Sequence, residues 1–261
     1  MLIISTCTIL NINFDLPILL IAYLLPLIVY SYDYYKDIEK DIKSDSNRAI
    51  YLNKKADKYP LIFGFYILLL VFLLLLFSNY SLILFIIAIV TGGFLYNFKL
   101  KELTKKIPAF KNIFTTFTWA AGGAFFPVFY FSLTLDTSFI LIFALIFLRC
   151  LINVVYFDLK DIKNDKKEKL KTLPVVIGKD ATIKFLYFLN FISFIPLILG
   201  VYLKIFPLFA LFLLLFSIYG LYYIKKAEMS VSHDLEKLAH TLADSEFIIW
   251  PLVLIISKML I

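Results

Sequence analysis

Aspartates recur at helical spacing in two polar segments of the chain, and each segment follows an apolar block. In the later segment, Asp158, Asp161 and Asp165 are spaced i, i+3, i+7, which places them on one face of a helix. Like charges on one face repel each other unless positive charge lies among them. Lysines supply part of that charge, and Mg²⁺ supplies more, because it prefers carboxylate and phosphate oxygens. The pattern therefore favours a site that holds a diphosphate through Mg²⁺, with these three aspartates as metal ligands.

The earlier segment repeats the pattern with Asp33, Asp37, Asp41 and Asp45, each four residues after the last. Two acidic helix ends on the same side of a membrane could face each other across one cavity and hold metal ions around one diphosphate. Asp33, Asp37 and Asp41 are therefore further predicted metal ligands. The alternative is that each segment is only a solvated loop after a membrane helix, and the recurrence of the spacing at two span ends argues against it.

Membrane helices are the elements that must position these residues. Of the 261 residues, 62% are hydrophobic, and the mean hydropathy is +0.89. A soluble domain is about 45–50% apolar. The composition predicts an all-α, polytopic membrane helical bundle that forms a single transmembrane domain over residues 1–261.

Segments of about 20 apolar residues are long enough to cross a bilayer. The chain has eight of them, so we predict full spans near residues 16–32, 60–77, 80–97, 113–133, 138–157, 183–203, 205–224 and 245–261. The first dozen residues are apolar but too short to cross alone, so they form a short N-terminal apolar segment.

Positive charge is concentrated in the long links between predicted spans, which are residues 33–59, 98–112, 158–182 and 225–244. Such links mark the cytoplasmic side of a membrane protein. Both aspartate segments are therefore expected to face the cytoplasm from the plasma membrane. Most of the net charge of +7 lies in these links, so a nucleic-acid partner is not expected. Cys7 and Cys150 stand apart in apolar surroundings, and neither a zinc site nor a disulfide framework is predicted.

The segment from Arg149 to Gly178 closely resembles the second Asp-rich motif of the UbiA superfamily of intramembrane prenyltransferases. One common family feature is absent, since Lys169 stands where family members have glycine four residues after the last aspartate. The matching features are Arg149, the Asp158, Asp161 and Asp165 ladder, and Thr172-Leu173-Pro174-Val175 followed by Gly178.

The first cluster resembles the family pattern less closely. The family form is Asn-Asp-x-x-Asp-x-x-x-Asp followed by Arg-Pro, and Asp37 and Asp41 match its last two aspartates. Asp33 lies one residue too far upstream, and Tyr32 stands in place of asparagine. Arg48 serves as the motif's arginine without a following proline, and "SDSNRAIYL" resembles a divergent branch of the superfamily.

The stretch "LYNFKLKELTKKIPAFKN" resembles the family's second cytoplasmic loop, with Tyr96 and the pair Lys105 and Lys106. Family members typically have nine helices, with the first motif after the second helix. Here one full span precedes the first motif, so we expect either that the family's first helix is shortened to roughly residues 2–12 or that a true start lies upstream.

The resemblance implies Mg²⁺-dependent transfer of a prenyl group from a prenyl diphosphate to an aromatic or lipid acceptor within the membrane. It makes Asp37, Asp41, Asp161 and Asp165 the catalytic aspartates, which hold the metal ions. The remaining candidates are expected to bind substrate: Arg48, Tyr96, Lys105, Lys106, Arg149, Asn153 and Lys171.

Arg149 precedes the ladder by about two turns inside a predicted span, where a charge is costly and usually functional. Asn153 follows on the same helical stripe, and we expect both to line the polar head of the cavity. The alternative is that Arg149 reaches the interface or pairs with an aspartate. His233 and His240 have no third metal ligand nearby, and their segment predicts an amphipathic helix that covers the site.

Other functions stay open at this point. A transporter or channel predicts charges near the bilayer midplane and broken helices, and the spans are nearly free of charge apart from Arg149. The degenerate first motif keeps open another alternative, in which the protein is a non-catalytic member of the family. A phospholipid head-group transferase of the CDP-alcohol type is not favoured, because its aspartate signature is absent from the sequence.

Overall fold

The structure is a computed structural model that describes residues 1–42, 58–96, 100–230 and 232–261. These residues form helices and no strand, so the all-α prediction is confirmed for the described part of the chain. Asp45 and Arg48 lie outside the described residues. The side chains of Asp33, Asp37 and Asp41 also lie outside the described part, although their backbone belongs to a helix.

Thirteen α-helices are described, together with one 3-10 and one π segment. The first six are α1 (Leu2–Ile9), α2 (Leu16–Ile42), α3 (Tyr59–Phe77), α4 (Tyr80–Leu95), α5 (Lys101–Lys106) and α6 (Phe110–Tyr130). The next four are α7 (Thr137–Lys167), α8 (Leu173–Ile177), α9 (Lys179–Ile192) and α10 (Ile195–Tyr202). A 3-10 segment (Leu208–Leu214) leads into α11 (Leu215–Met229), and α12 (Ser232–Leu238) continues through a π-helix (Ala239–Ala243) into α13 (Asp244–Leu260).

Five helical stretches among the described residues are long and apolar enough to cross a membrane, namely Tyr59–Phe77, Thr137–Lys167, Lys179–Tyr202, Leu208–Met229 and Asp234–Leu260. Two shorter apolar helices cover Leu16–Tyr32 and Tyr80–Leu95. Eight full spans therefore stay a prediction, although each predicted span overlaps a helix.

The polar link predicted from residue 158 begins later than expected, because α7 continues to Lys167. The helix has 31 residues, which at about 1.5 Å per residue makes it roughly 46 Å long. A bilayer core of about 30 Å needs only some 20 of these residues. The last ten residues carry the aspartate ladder as an extension of the helix, so the three carboxylates share a rigid element.

The smaller of two compact units comprises residues 15–99. Within it, the Tyr32 ring meets Phe94 edge-on, with centroids 5.1 Å apart, and Gly93 lets α4 approach Val29 of α2. Asn79 caps α4, since its side-chain oxygen accepts a hydrogen bond from the backbone N–H of Leu82 at 2.8 Å. Tyr32, which replaces the family's asparagine, therefore serves aromatic packing here.

The larger unit comprises residues 1–14 and 100–261, and α7 runs through its core. The helices α6, α9, α10 and α12 all pack against α7. The short helix α1 packs on α6 and α13. Gly123 permits the first of these contacts, because an added Cβ would meet Leu2, and its carbonyl accepts a hydrogen bond from Thr6 Oγ1 at 2.9 Å. Small residues allow such close approach between membrane helices.

Candidate active site

Asp158 is the first carboxylate of the ladder, and both of its oxygens are engaged. Lys111 Nζ lies 2.8 Å from Oδ1, and Asn112 Nδ2 donates to Oδ2 at 2.8 Å. The residue is only 3% exposed. Since Lys111 and Asn112 both lie in the first turn of α6, Asp158 fastens that helix to α7. The metal role predicted for Asp158 stays a prediction. In the structure, both of its carboxylate oxygens contact donor groups of the protein.

Asn112 also reaches the segment that follows the ladder. Its Oδ1 accepts a hydrogen bond from the backbone N–H of Leu173 at 3.0 Å, and the residue is fully buried. One amide side chain therefore joins the aspartate ladder to the Thr-Leu-Pro-Val segment that carried the family resemblance. This gives a physical reason for the two motifs to occur together.

Asp165 ends the ladder inside the same assembly. Its Oδ2 accepts a hydrogen bond from Thr172 Oγ1 at 2.8 Å, and Thr172 is fully buried. The backbone of Lys171 bonds to α5 and to the segment after it. Its N–H donates to the carbonyl of Thr104 in α5 at 2.9 Å, and its carbonyl accepts from the N–H of Ala109 at 2.7 Å. Hydrogen bonds thus join three parts of the chain into one body, namely the end of α7, the loop that follows it, and residues 104–112.

Lys169 adopts the left-handed conformation, with φ of 60°. The N–H of Leu170 donates to Asp165 O at 2.8 Å, and that of Lys169 donates to Lys166 O at 3.2 Å. These two bonds form a Schellman motif, in which the position of Lys169 is usually glycine. The backbone explains the glycine of the family pattern, and this chain forms the same turn with lysine.

Asp161 is the most open carboxylate of the ladder. Its side chain is 35% exposed, and its nearest positive charge is Lys160, with Nζ 3.4 Å from the carboxylate. Asp161 and Asp165 lie one helical turn apart, and their oxygens are the donors that Mg²⁺ prefers. Asp161 fits a metal site, and Asp165 fits it through Oδ1, since its Oδ2 accepts the hydrogen bond from Thr172. Asp158 fits it poorly because both of its oxygens already have partners. Within the described ranges, no group of three His, Cys, Asp or Glu side chains forms a complete site.

The predicted phosphate-binding lysines lie around this body. Lys171 Nζ donates to the carbonyl of Lys106 at 3.2 Å, and Lys105 pairs with Glu102 at 2.7 Å. The Lys105 ammonium holds the pKa of Glu102 below its usual value. Lys105, Lys106 and Lys171 are thus brought to one region of the larger unit. Tyr96 belongs to the smaller unit and is partly buried there.

Arg149 does not line an open polar surface. It is 1% exposed, and its Nε and Nη2 donate to the two carboxylate oxygens of Glu246 at 2.8 and 2.6 Å. Its Nη1 donates to Asn190 Oδ1 at 2.6 Å and to Ser193 Oγ at 3.2 Å. The prediction that Arg149 lies on the cavity surface is therefore corrected. The alternative prediction, that Arg149 pairs with an aspartate, is closer to the structure, because Arg149 does pair with a carboxylate, that of Glu246.

Asn153 lies one turn after Arg149 in different surroundings. Its Nδ2 donates to Asp244 Oδ1 at 3.3 Å. The other oxygen of Asp244 is 3.7 Å from His240 Nδ1, and the His240 ring meets Phe157 edge-on at 5.1 Å. Asn153, Phe157 and Asp161 occupy successive turns of α7 on one stripe. The predicted amphipathic segment around His240 is helical and packs against α7.

Several partner residues were not predicted from the sequence, namely Lys111, Asn112, Glu246, Asn190 and Asp244. Arg149 carried the one usable signal, because a buried guanidinium requires a carboxylate. The single charged turn at the start of the last apolar block, "DSEF", contains that carboxylate. Lys111 and Asn112 gave no signal, since a lysine beside an asparagine at a helix start is ordinary in sequence.

The long apolar helices and the aspartate-bearing extension of α7 define an all-α integral membrane protein. The model of the UbiA prenyltransferase family matches residues 4–238, and the chain belongs to that family. A solved structure of digeranylgeranylglyceryl phosphate synthase in membranes has a similar fold, with a TM-score of 0.65 and 21% sequence identity over 100% of this chain and 92% of that one. None of the curated proteins matches the chain in sequence.

Proposed function

We propose that this protein transfers a prenyl group from a prenyl diphosphate to an aromatic or lipid acceptor within the membrane. The observation that carries the proposal is the position of Asp161. Its carboxylate is the open one of the ladder, one turn from Asp165, on the rigid end of α7. Family membership supports the reaction type, and the lysines around the ladder support an anionic substrate.

The reaction breaks an allylic C–O bond, which leaves negative charge on the diphosphate and positive charge on the prenyl carbon. Asp161 and Asp165 would hold Mg²⁺, and the family resemblance proposes Asp37 and Asp41 of the first motif as further metal ligands. Bound Mg²⁺ neutralises charge on phosphate oxygens. In this proposal Asp33 and Asp158 are not needed as direct ligands, and Arg48 adds positive charge at the first motif.

Lys105, Lys106 and Lys171 would contact phosphate oxygens that the metal leaves free. Lys106 and Lys171 are exposed, and Lys105 pairs with the solvent-exposed Glu102. An exposed ion pair contributes only about 0–1 kcal/mol, so an arriving diphosphate displaces it readily. These lysines act as mobile charges that close on the substrate, while the partly exposed Lys111 stays paired with the buried Asp158.

The acceptor is aromatic or lipid in this proposal. The solved structure with the similar fold belongs to a synthase of digeranylgeranylglyceryl phosphate, which favours a lipid acceptor. The basic links around both motifs support a reaction at the cytoplasmic side of the plasma membrane. Donor and acceptor tails would both lie in the bilayer, so the substrates enter sideways from lipid.

The test is a turnover assay with purified protein in lipid nanodiscs. Prenyl diphosphates of several lengths are offered with a panel of acceptors, with Mg²⁺ or with excess chelator. Chelation is expected to abolish transfer, and Asp161→Asn and Asp37→Asn are each expected to reduce the rate by about 10²–10³-fold. The control is Asp180→Asn, an exposed aspartate in the first turn of α9.

Near-normal transfer by either motif variant would refute the metal assignment. The transport alternative is tested with the same protein in proteoliposomes. Flux of a prenyl diphosphate or an acceptor across the bilayer without product formation would favour transport over catalysis. A protein that does neither but still binds prenyl diphosphate would be a non-catalytic family member.

A further inference from the structure

We propose that His240 is the proton acceptor of the reaction, positioned by Asp244, and that the acceptor substrate attacks the prenyl carbon through a hydroxyl oxygen. This inference rests on the proposed function and names the class of its acceptor. It assigns a role to residues that lie beyond the aspartate ladder and beyond the lysines around it.

The first support is the pairing of the two side chains. Asp244 Oδ2 lies 3.7 Å from His240 Nδ1. Its other oxygen accepts a hydrogen bond from Asn153 Nδ2 at 3.3 Å, which fixes the carboxylate against α7. A carboxylate beside Nδ1 favours the tautomer with its proton on that nitrogen, and Nε2 is then the basic atom.

The second support is the location of the pair relative to the ladder. The His240 ring contacts Phe157, and Phe157 precedes Asp161 by four residues on the same face of α7. Four residues correspond to about 6 Å along a helix axis. The contact of His240 with α7 therefore lies about one turn along the helix from Asp161, on the side toward the apolar part of α7. A nucleophile that attacks the prenyl carbon must approach from beyond the diphosphate, and this is the side from which it would come.

The third support is the backbone that carries His240. Residues Ala239–Ala243 form a π-helix between α12 and α13. Single π turns are less favourable than α-helix and often occur at functional sites. The wider turn changes the helical register, and both His240 and Asp244 contact side chains of α7 across it.

Both side chains are accessible. The side chain of His240 is 50% exposed and that of Asp244 is 46% exposed. The pair combines a fixed orientation with an open face, which is the combination that a general base requires.

The acceptor oxygen forms a bond to the prenyl carbon, and the electron pair of the breaking C–O bond leaves with the diphosphate. The O–H bond of the acceptor breaks, and its proton moves to His240 Nε2 and then to water. A neutral alcohol is a poor nucleophile, so a base that removes its proton as the new bond forms accelerates attack. An arene attacks through its π electrons and loses its ring proton afterwards.

The experiment compares His240→Ala and Asp244→Asn with the unmodified protein. Two acceptors are used, a glyceryl phosphate ether lipid with one free hydroxyl and an aromatic acid that is prenylated on carbon. The unmodified protein is expected to prenylate the hydroxyl. His240→Ala is expected to lower kcat by about 10²–10⁴-fold with the KM for the diphosphate unchanged, and added imidazole is expected to restore part of kcat. Asp244→Asn is expected to lower kcat without a change in that KM or in the unfolding temperature.

Thr241→Ala is the matched control. Thr241 lies in the same π-helix, and its hydroxyl bonds only to the carbonyl of Lys237 at 2.7 Å. Full kcat in His240→Ala, or a loss that imidazole does not reverse, would overturn the inference and leave the proposed function standing. Prenylation of the aromatic carbon alone would also overturn it. Absence of any transfer by the unmodified protein would overturn both.

Discussion

Arg149 and Glu246 form a bidentate ion pair inside the bundle, although 97 residues separate them in the chain. The side chains are 0% and 2% exposed. Asn190 of α9 and Tyr223 of α11 complete the cluster, since Asn190 Oδ1 accepts from Arg149 and Tyr223 Oη donates to Glu246 at 3.1 Å. Four helices are thus joined by charge-assisted hydrogen bonds, which identifies Arg149 as a structural residue.

Removing one partner of this pair is expected to destabilise the protein strongly. Glu246→Gln leaves the guanidinium buried without a countercharge, which typically costs about 3–5 kcal/mol. The measurement is thermal unfolding in detergent, where the variant should unfold at a markedly lower temperature. Glu236→Gln, at an exposed position on α12, is the matched control and should leave the unfolding temperature unchanged.

The double variant Arg149→Met, Glu246→Leu separates lost packing from the unpaired charge. Because neither charge is then buried, the double variant is expected to be more stable than Glu246→Gln alone. An unfolding temperature for Glu246→Gln equal to that of the unmodified protein would contradict the structural assignment.

Gly220 is required by the same cluster. A Cβ at this position would collide with Asn190 Oδ1 and press on Arg149 Nη2. Gly220→Ala is therefore expected to lower the free energy of unfolding by about 1–3 kcal/mol. At Gly122 an added Cβ meets nothing within 4 Å, so Gly122→Ala should be neutral or stabilise α6 by up to about 1 kcal/mol. Equal stability of the two variants in chemical denaturation would count against the close contact.

The positions of the helices could be predicted largely from sequence, because apolar length and charged links are local signals. The ladder itself was also predictable, since i, i+3, i+7 spacing specifies one face of a helix. The sequence did not show that α7 continues through the ladder to Lys167. A lysine-rich segment after an apolar block is as compatible with a loop as with a helix.

The partners of the charged residues could not be predicted, because they depend on which helices become neighbours. Asp158 was grouped with Asp161 and Asp165 on spacing alone. The structure separates them by environment, since Asp158 meets Lys111 and Asn112 from α6 while Asp161 is open. Equal spacing along one helix face does not imply equal exposure when a second helix covers part of that face.

This separation predicts different outcomes for two similar substitutions. Asp161→Asn should reduce prenyl transfer while the unfolding temperature stays the same, because the side chain has no buried partner. Asp158→Asn should lower the unfolding temperature, since it removes the charge that Lys111 and Asn112 contact, at a cost of about 1–3 kcal/mol. Thermal unfolding and turnover measured on the same preparations distinguish the two. A stable Asp158→Asn with abolished turnover would instead assign Asp158 directly to the metal.

Lys169 offers a prediction of increased stability. Its left-handed backbone costs a residue with a Cβ about 1 kcal/mol or more relative to glycine, and its side chain is exposed. Lys169→Gly should therefore raise the free energy of unfolding by about 1 kcal/mol and protect residues 166–171 from trypsin. Lys169→Ala is the matched control, because it removes the same charge and cleavage site but keeps the Cβ, so cleavage is compared at Lys166, Lys167 and Lys171. If both variants stabilise the protein equally, relief of lysine repulsion rather than of backbone strain is the cause, and the Schellman assignment at the end of α7 would lose its support.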